Sequence, residues 1–219
     1  MIPKPYKGLA MEGLVAAWYA KNTHADMEEH RGLASMIAAR LRPGARVLEV
    51  APGPGYTAVE LAKLGNFRIM GMDISSTFVE IARSNAREAE VPVEFIRGDA
   101  ASMPLEDGRF DFLLCRAAFK NFTQPLCALL EMHRVLRAGG GALIIDLRPD
   151  VSVRTVDEYN RSSGRKGFPA FLTKRAFLSF LARNAHSKAE LEEMIGRTGF
   201  SRHEIREDLM GYEVWLWKD

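Results

Sequence analysis

The sequence predicts an α/β fold in which a doubly wound, mostly parallel sheet of seven strands carries helices on both faces and an α-helical cover. Apolar residues switch repeatedly between a spacing of two, typical of strands, and a spacing of three to four, typical of helices. Residues 110–115 are almost entirely apolar, as in strands that are covered on both faces. The chain has 219 residues, 47% of them hydrophobic, which is enough for one substantial core.

The predicted elements begin with two helices between residues 13 and 41 and continue as alternating strands and helices. Ser75 or Ser76 is the expected N-cap of the helix after the second strand. Residues 137–141, rich in glycine, are expected to form a flexible connection before the fifth strand. The predicted strands are 46–50, 67–72, 93–96, 110–115, 142–147 and two more after residue 205, and the further helices are 57–64, 78–86, 125–136 and 188–198.

These elements are expected to form a single domain, because no repeat, low-complexity tract or long linker divides the chain. Four parts are predicted within residues 1–219. They are an N-terminal helical cover at 1–41, a ligand-binding core at 45–147, an inserted cover at 150–185, and a C-terminal helix with strands at 186–219.

Composition and charge favour a small-molecule partner. The 30 basic and 28 acidic residues give a net charge of only +2, so the overall charge of the chain does not favour binding to nucleic acid. No apolar run is long enough to span a membrane, and the first residues lack the apolar stretch of a secretory signal, which predicts a cytoplasmic protein. Cys115 and Cys127 lack the spacing of a zinc site, so no metal is predicted and both are expected to be buried. The sequence leaves the oligomeric state open.

A glycine-rich turn follows the first predicted strand in the segment Glu49-Val50-Ala51-Pro52-Gly53-Pro54-Gly55. In open parallel sheets, ligands bind beyond the carboxyl ends of the strands. Glycines there let the backbone approach a ligand closely, although a simple tight turn would also explain them. The turn therefore predicts the floor of a ligand site.

Acidic residues at the ends of the next strands extend this site. Asp73 lies about 20 residues after the turn, where a carboxylate can accept hydrogen bonds from both hydroxyls of a ribose. Its alternative role is to cap the next helix. Gly98, Asp99 and Ala100 follow the third strand and could contact an adenine ring. Arg116 and Ala117 follow the fourth strand and are expected to lie under the same ligand.

Over residues 45–147, this pattern resembles the class I S-adenosylmethionine-dependent methyltransferases of the ubiquinone and menaquinone biosynthesis type, which have a Rossmann-like fold. The resemblance implies S-adenosylmethionine as the cofactor, S-adenosylhomocysteine as the product, and a small-molecule methyl acceptor. It also implies that Glu49 faces the methionine moiety. Ala51 and Pro52 depart from the family by replacing the Gly-x that usually opens the turn. The cofactor-binding residues predicted in this way are Glu49, Ala51, Gly53, Gly55, Asp73, Ile74, Gly98, Asp99, Ala100, Arg116 and Ala117.

Two alternatives remain beside the methyltransferase. One is an NAD(P)-binding Rossmann oxidoreductase. The turn has the form E-x-A-x-G-x-G and lacks the G-x-G-x-x-G spacing, and Glu49 would repel a pyrophosphate, so this alternative is disfavoured. The other is a protein that binds S-adenosylmethionine without catalysis, which the sequence leaves open.

Methyl transfer is an in-line displacement that depends mainly on positioning, so a general base is optional. Lys120 and Asn121 are the best-placed candidates for catalysis, because the loop after the fourth strand faces the transferred methyl group in this fold; solvated loop positions are the alternative. His24, His133 and His186 are weaker candidates for a base. The acceptor, an O, N, S or C nucleophile, is undecided. Its predicted contacts are Tyr6, Trp18, Tyr19 and Tyr159, on the covers.

Overall fold

The computed structural model describes residues 6–7, 11–23, 27–162 and 184–219. Seven strands form one sheet in the order β3-β2-β1-β4-β5-β7-β6. Their bounds are Arg46–Val50 (β1), Arg68–Asp73 (β2), Val93–Arg97 (β3), Phe110–Arg116 (β4), Leu136–Leu147 (β5), Arg202–Glu207 (β6) and Gly211–Lys218 (β7).

Seven helices of the described residues accompany the sheet, together with a single 3₁₀ turn at Phe119–Asn121. The helices are Gly13–Thr23 (α1), Met27–Ala38 (α2), Tyr56–Ala62 (α3), Ser76–Glu88 (α4), Pro125–Val135 (α5), Val153–Ser162 (α6) and Lys188–Gly196 (α7).

The pairing pattern confirms the predicted α/β fold and its mostly parallel sheet. Strands β1 to β5 pair in parallel, whereas β7 pairs antiparallel with both β5 and β6. The strand order reverses between β1 and β4. A crevice opens at the carboxyl ends of the strands at such a switch point, and this is where ligands bind in open α/β sheets.

The core is divided between the two faces of the sheet. Apolar side chains of α2, α3 and α4 pack on one face, and those of α5 and α7 pack on the other. Helix α1 instead lies near the carboxyl edge, where the Tyr56 hydroxyl donates to the Ala20 carbonyl at 3.0 Å and the Tyr19 ring contacts Phe78 edge to face. Helix α1 therefore lies on the side of the sheet on which the site was predicted.

Local sequence signals explain several helix boundaries. The Ser75 side chain accepts from the Phe78 N–H, which confirms Ser75 as the N-cap of α4. Ser187 and Glu190 form a reciprocal capping box at the start of α7. Helix α7 ends at Gly196, two residues before the predicted end at residue 198.

Two expectations were wrong in detail. Residues 137–141 belong to β5 and do not form a flexible connection, because Gly140 and Gly141 pair with Lys218 and Trp217 of β7. The parallel register with β4 shifts beside this glycine run. Cys115 is buried as expected, but Cys127 is only half-buried on α5.

Part of the inserted cover that was predicted at 150–185 lies outside the described residues, since residues 163–183 are not among them. The described part contains α6, which packs through Val156 against Val151 and Met210. None of the helices that the structure describes is long and apolar enough to cross a lipid bilayer.

We expect Gly71→Ala to lower the free energy of unfolding by about 1–3 kcal/mol, as overpacking of a tight core does. A Cβ at residue 71, in the middle of β2, would overlap the buried Phe95 ring and approach Pro52 Cγ to 3.1 Å. Gly32→Ala, on the exposed side of α2 with nothing within 4 Å of the added Cβ, should instead stabilise by about 0.5–1 kcal/mol. Urea unfolding measures both, and equal effects of the two substitutions would contradict this packing.

Candidate functional site

The predicted ligand residues converge on the carboxyl edge of the sheet at its switch point. Glu49 lies near the end of β1, Asp73 ends β2 and Arg116 ends β4. Because β1 lies between β2 and β4, these three side chains belong to adjacent strands. The structure therefore brings together residues that are up to 67 positions apart in the sequence.

The turn after β1 is held in a conformation that brings its backbone across the end of β2. Ala51 has a φ of 54°, in the left-handed region, and its N–H donates to the Met72 carbonyl at 2.8 Å. The alanine thus adopts a conformation that glycine would take more easily. Gly55, with a φ of 76°, precedes α3, and a Cβ there would collide with Phe95.

The Asp73 carboxylate links two loops. Its Oδ2 accepts from the Gly53 N–H at 3.0 Å and its Oδ1 from the Ser75 N–H at 2.9 Å. Since Ser75 caps α4, the alternative that Asp73 is the cap is wrong. Only 6% of Asp73 is exposed, and this burial raises its pKa while the two N–H donors oppose the shift. Each oxygen keeps a free lone pair for a further donor.

Glu49 is the most unusual group of the site. It is 4% exposed, and its Oε2 finds no hydrogen-bond partner in the described part of the chain. Burial raises its pKa to about 8, although hydrogen bonds from the Ala58 backbone and Thr57 and the charge of Arg116 oppose the shift. A buried carboxyl without a full set of partners costs stability, and such costs concentrate at functional sites.

A network from α2 closes the site on the side of Glu49. The Arg116 guanidinium contacts Glu29 at 2.7 Å and the Nε2 atom of His30 at 3.4 Å, and the Nδ1 atom of His30 lies 2.8 Å from the Thr57 hydroxyl. Burial lowers the pKa of His30 to about 4, with a further contribution from Arg116. His30 therefore stays neutral near pH 7.

Sequence reasoning missed His30 as a site residue. The sequence signal that could have revealed it is its helical spacing from Leu33, Ala34 and Ile37, which predicts that His30 lies on the apolar side of its helix. All four residues are buried on α2.

Glu12 holds the segment before α1 against the start of α4, and it too was missed. Its carboxylate accepts from the Thr77 hydroxyl at 2.6 Å and from the Ser76 and Thr77 N–H groups at 2.9 and 3.0 Å. These contacts, led by the Thr77 hydroxyl, lower its pKa to about 2. The Ser75 hydroxyl also donates to the Met11 carbonyl at 2.5 Å. The N-terminal segment thus lies beside Asp73.

The remaining predicted cofactor residues lie along the same edge. The Gly98 N–H donates to the Asp73 carbonyl at 2.9 Å, and the Ile74 carbonyl accepts from the Arg97 side chain at 3.2 Å. Asp99 accepts from the Ala101 N–H at 2.9 Å, beside the buried Ala100. Ala117 has a φ of 58° and donates to the Ile145 carbonyl at 2.7 Å.

Lys120 is buried and paired, so the alternative of a solvated loop position is wrong for this residue. Its ammonium lies 2.9 Å from the Asp146 carboxylate and 2.5 Å from the Ala117 carbonyl. The other Asp146 oxygen accepts from the Lys120 N–H at 2.8 Å. Beside it, Asn121 Oδ1 is buried and has no hydrogen-bond partner among the described residues.

The four aromatic residues predicted to contact an acceptor lie on three parts of the fold, because Trp18 and Tyr19 share α1. Tyr6 forms a β-bridge with Phe122, next to the 3₁₀ turn, and Tyr19 contacts Phe78. Trp18 is 65% exposed, and Tyr159 packs against the cluster around Val156. Tyr6 is therefore the one of the four that lies next to Lys120 and Asn121 in the fold.

Comparison with known proteins adds independent information. Residues 48–144 match a family described as a methyltransferase domain. A demethylmenaquinone methyltransferase from Deinococcus radiodurans is 35% identical over 108 residues, which are 49% of this chain and 45% of that protein.

Solved structures share the fold. A proposed S-adenosyl-L-methionine-dependent methyltransferase from Methanococcus maripaludis superposes with a TM-score of 0.77 at 19% identity, covering 100% of this chain and 97% of that one. Magnesium protoporphyrin IX methyltransferase from Synechocystis, solved with bound S-adenosylhomocysteine, has a TM-score of 0.63 at 16% identity and covers 89% and 84%.

These findings confirm the resemblance and the fold that the sequence predicted. The chain spans 40% to 48% of the length of four curated relatives that it matches at 32% to 36% identity.

Because the pKa of Glu49 is raised to about 8, its carboxyl stays protonated in the folded protein at pH values where the unfolded chain has released that proton. The stability that Glu49 contributes is therefore complete below about pH 4.5 and is lost as the pH rises towards 8. In the wild type, we expect the free energy of unfolding to fall by about 2–4 kcal/mol between pH 5 and 8 because of Glu49. Glu49→Gln imitates the neutral carboxyl at every pH, so this fall should be absent in the variant.

Chemical unfolding of the ligand-free protein at several pH values measures this difference. Glu94→Gln on β3, where the residue is exposed, is the matched control and should leave the pH dependence unchanged. Parallel pH profiles for Glu49→Gln and the wild type would show that Glu49 ionises normally in the folded state.

Proposed function

We propose that this chain, whose residues 48–144 match the methyltransferase-domain family, transfers the methyl group of S-adenosylmethionine to a small-molecule acceptor. The observation that carries the proposal is the buried Glu49 carboxyl, whose Oε2 has no hydrogen-bond partner among the described residues. Such an atom next to a glycine-rich turn fits a cationic or hydrogen-bond-donating ligand group, and the methionine moiety of this cofactor carries an ammonium group.

The other residues of the edge fit the same cofactor. Asp73 keeps one free lone pair on each carboxylate oxygen, which suits the two hydroxyls of a ribose. A Cβ at Gly53 would meet no atom of the described residues within 4 Å, so none of them crowds this part of the turn. Arg116, with its side chain 24% exposed, supplies a positive charge that suits a carboxylate.

When bound, S-adenosylmethionine supplies a methyl group that is already activated by its sulfonium. The chain's own contribution is then to orient both reactants and to exclude water. Glu49, Asp73 and Arg116 hold the cofactor from three adjacent strands. Segments 11–23 and 27–38 cover the edge. Glu12 holds the first segment through the Thr77 hydroxyl, and His30 holds the second through the Thr57 hydroxyl.

For the acceptor, we infer a phenol or quinol, methylated on oxygen or on the adjacent ring carbon. Several relatives are named demethylmenaquinone methyltransferase, which supports this class over amines and thiols. The aromatic Tyr6, Phe119 and Phe122 around the turn after β4 offer apolar contacts to such a ring.

An NAD(P)-binding oxidoreductase is the competing function that a titration excludes most directly. The turn after β1 lacks the G-x-G-x-x-G spacing with which the pyrophosphate of a dinucleotide reaches a helix N-terminus. Direct calorimetric titration with S-adenosylhomocysteine and with NAD separates the two functions. We expect one-to-one binding of the first, no competition by NAD, and labelled methyl transfer to a quinol or phenol from a screened panel.

Asp73→Asn should weaken S-adenosylhomocysteine binding by about 1.5–3 kcal/mol, or about 10- to 150-fold, because hydrogen bonds from ribose hydroxyls to a charged group are lost. Calorimetry on the folded variant measures the change.

Asp111→Asn is the matched control for that experiment. Asp111 also accepts a backbone N–H, from Arg46 at 2.8 Å, but it lies at the opposite edge of the sheet, near the start of β4. Its substitution should lower stability and leave the affinity unchanged. Equal affinities for wild type and Asp73→Asn would remove Asp73 from the cofactor site, and tight NAD binding without S-adenosylhomocysteine binding would refute the methyltransferase.

A further inference from the structure

We propose that the cavity between Lys120, Asp146 and His186 receives the reacting hydroxyl of the acceptor, and that His186 takes the proton from it. This inference rests on the proposed function, since it assigns the acceptor's place in the same reaction. It concerns a part of the carboxyl edge that none of the predicted cofactor residues occupies.

The cavity lies where the 3₁₀ turn after β4, the end of β5 and the segment before α7 meet. Its space is roughly that of one water molecule or one hydroxyl group. Its wall is mostly apolar, with Ile144, Leu147 and Leu191 among the lining side chains, and Tyr212 closes one side. Among the described residues, the polar side chains that line the cavity are Lys120, Asp146, His186 and Tyr212.

The Lys120–Asp146 pair gives the cavity a fixed positive group. Lys120 is 3% exposed, and its ammonium uses two of its three N–H donors on Asp146 and the Ala117 carbonyl. Asp146 in turn is held by the N–H groups of Lys120 and Leu147 at 2.8 Å each. The third N–H of Lys120 remains to hydrogen-bond an oxygen that becomes negatively charged.

His186 provides the complementary acceptor. Its ring packs edge to face against Phe119 at 5.7 Å, and its Nε2 atom is buried and finds no hydrogen-bond partner among the described residues. Burial lowers its pKa below 6.5, assisted by the charge of Lys7 and opposed by Glu190 and Asp146. A neutral imidazole with a free nitrogen is what a general base near pH 7 requires.

The cavity is next to the cofactor edge. Lys120 follows β4 by four residues, and Ala117, predicted to lie under the cofactor, is the carbonyl that Lys120 contacts. The charges of Asp146, Lys120 and Glu49 all act on the Cys115 thiol of β4, so these groups from three neighbouring elements lie within electrostatic range of the same residue. An acceptor oxygen held by Lys120 is thus near the cofactor residues of β1 and β4.

The reaction balances with the groups present. The hydroxyl proton of the acceptor passes to Nε2 of His186, in the tautomer that carries its hydrogen on Nδ1. A lone pair of the acceptor oxygen forms the new bond to the methyl carbon. The carbon–sulfur bond breaks and its electron pair stays on sulfur, which leaves neutral S-adenosylhomocysteine. The imidazolium then returns its proton to solvent.

Methyl transfer to catechol and to 1,4-naphthoquinol tests this assignment. We expect His186→Gln to lower kcat about 100-fold for an accepted probe, as loss of a general base does, while the Kd for S-adenosylhomocysteine is unchanged. The wild-type rate should fall as the pH drops through the pKa of His186, below 6.5, and this acid limb should be absent in the variant. His203→Gln, on the exposed face of β6, is the matched control and should behave as wild type.

A second measurement does not depend on turnover. With S-adenosylhomocysteine bound, catechol or 1,4-naphthoquinol should shift the imidazole resonances of His186 and leave those of His203 unchanged. Wild-type rates in His186→Gln, or His186 resonances that neither probe shifts, would overturn the inference while the proposed function stands. Absence of S-adenosylhomocysteine binding to the wild type would instead refute the proposed function.

Discussion

The carboxylate of Asp73 holds the turn after β1 to the start of α4, and the geometry of the candidate site depends on this contact. One oxygen fixes the Gly53 N–H and the other fixes the Ser75 N–H, so a single side chain positions loops from both sides of β2. Hydrogen bonds to a buried carboxylate contribute about 1.5–3 kcal/mol each. The turn can therefore hold left-handed conformations at Ala51 and Gly53 without further support from its own side chains.

The core of the fold could be predicted because its signals are local. The strand β1, the glycine turn and the N-cap at Ser75 depend on residues within a few positions of one another, and each agrees with the prediction. The glycine run before β5 was misinterpreted because its partner is distant. Gly140 and Gly141 extend the strand only where Lys218 and Trp217 pair with them, and no short-range pattern reveals that pairing.

The site was predictable only in part for the same reason. Residues at strand ends follow from the order of strands, which is why Glu49, Asp73 and Arg116 could be named in advance. Contacts from the N-terminal cover could not, since Glu12 reaches Thr77 across 65 positions and Arg116 reaches Glu29 across 87. The burial of Lys120 likewise depends on its partner Asp146, 26 residues away on β5.

The raised pKa of Glu49 also makes ligand binding an acid–base event. Near pH 7 the ligand-free protein holds a neutral carboxyl at Glu49, whereas the ammonium group of the proposed cofactor, placed beside it, would favour the carboxylate. Association with the cofactor then releases a proton to the buffer. The apparent binding enthalpy will differ between phosphate and Tris by the difference in their ionisation heats, and the affinity will increase with pH until Glu49 is ionised in the free protein. On the proposed function, the affinity for the methyl donor therefore depends on pH before any acceptor is bound.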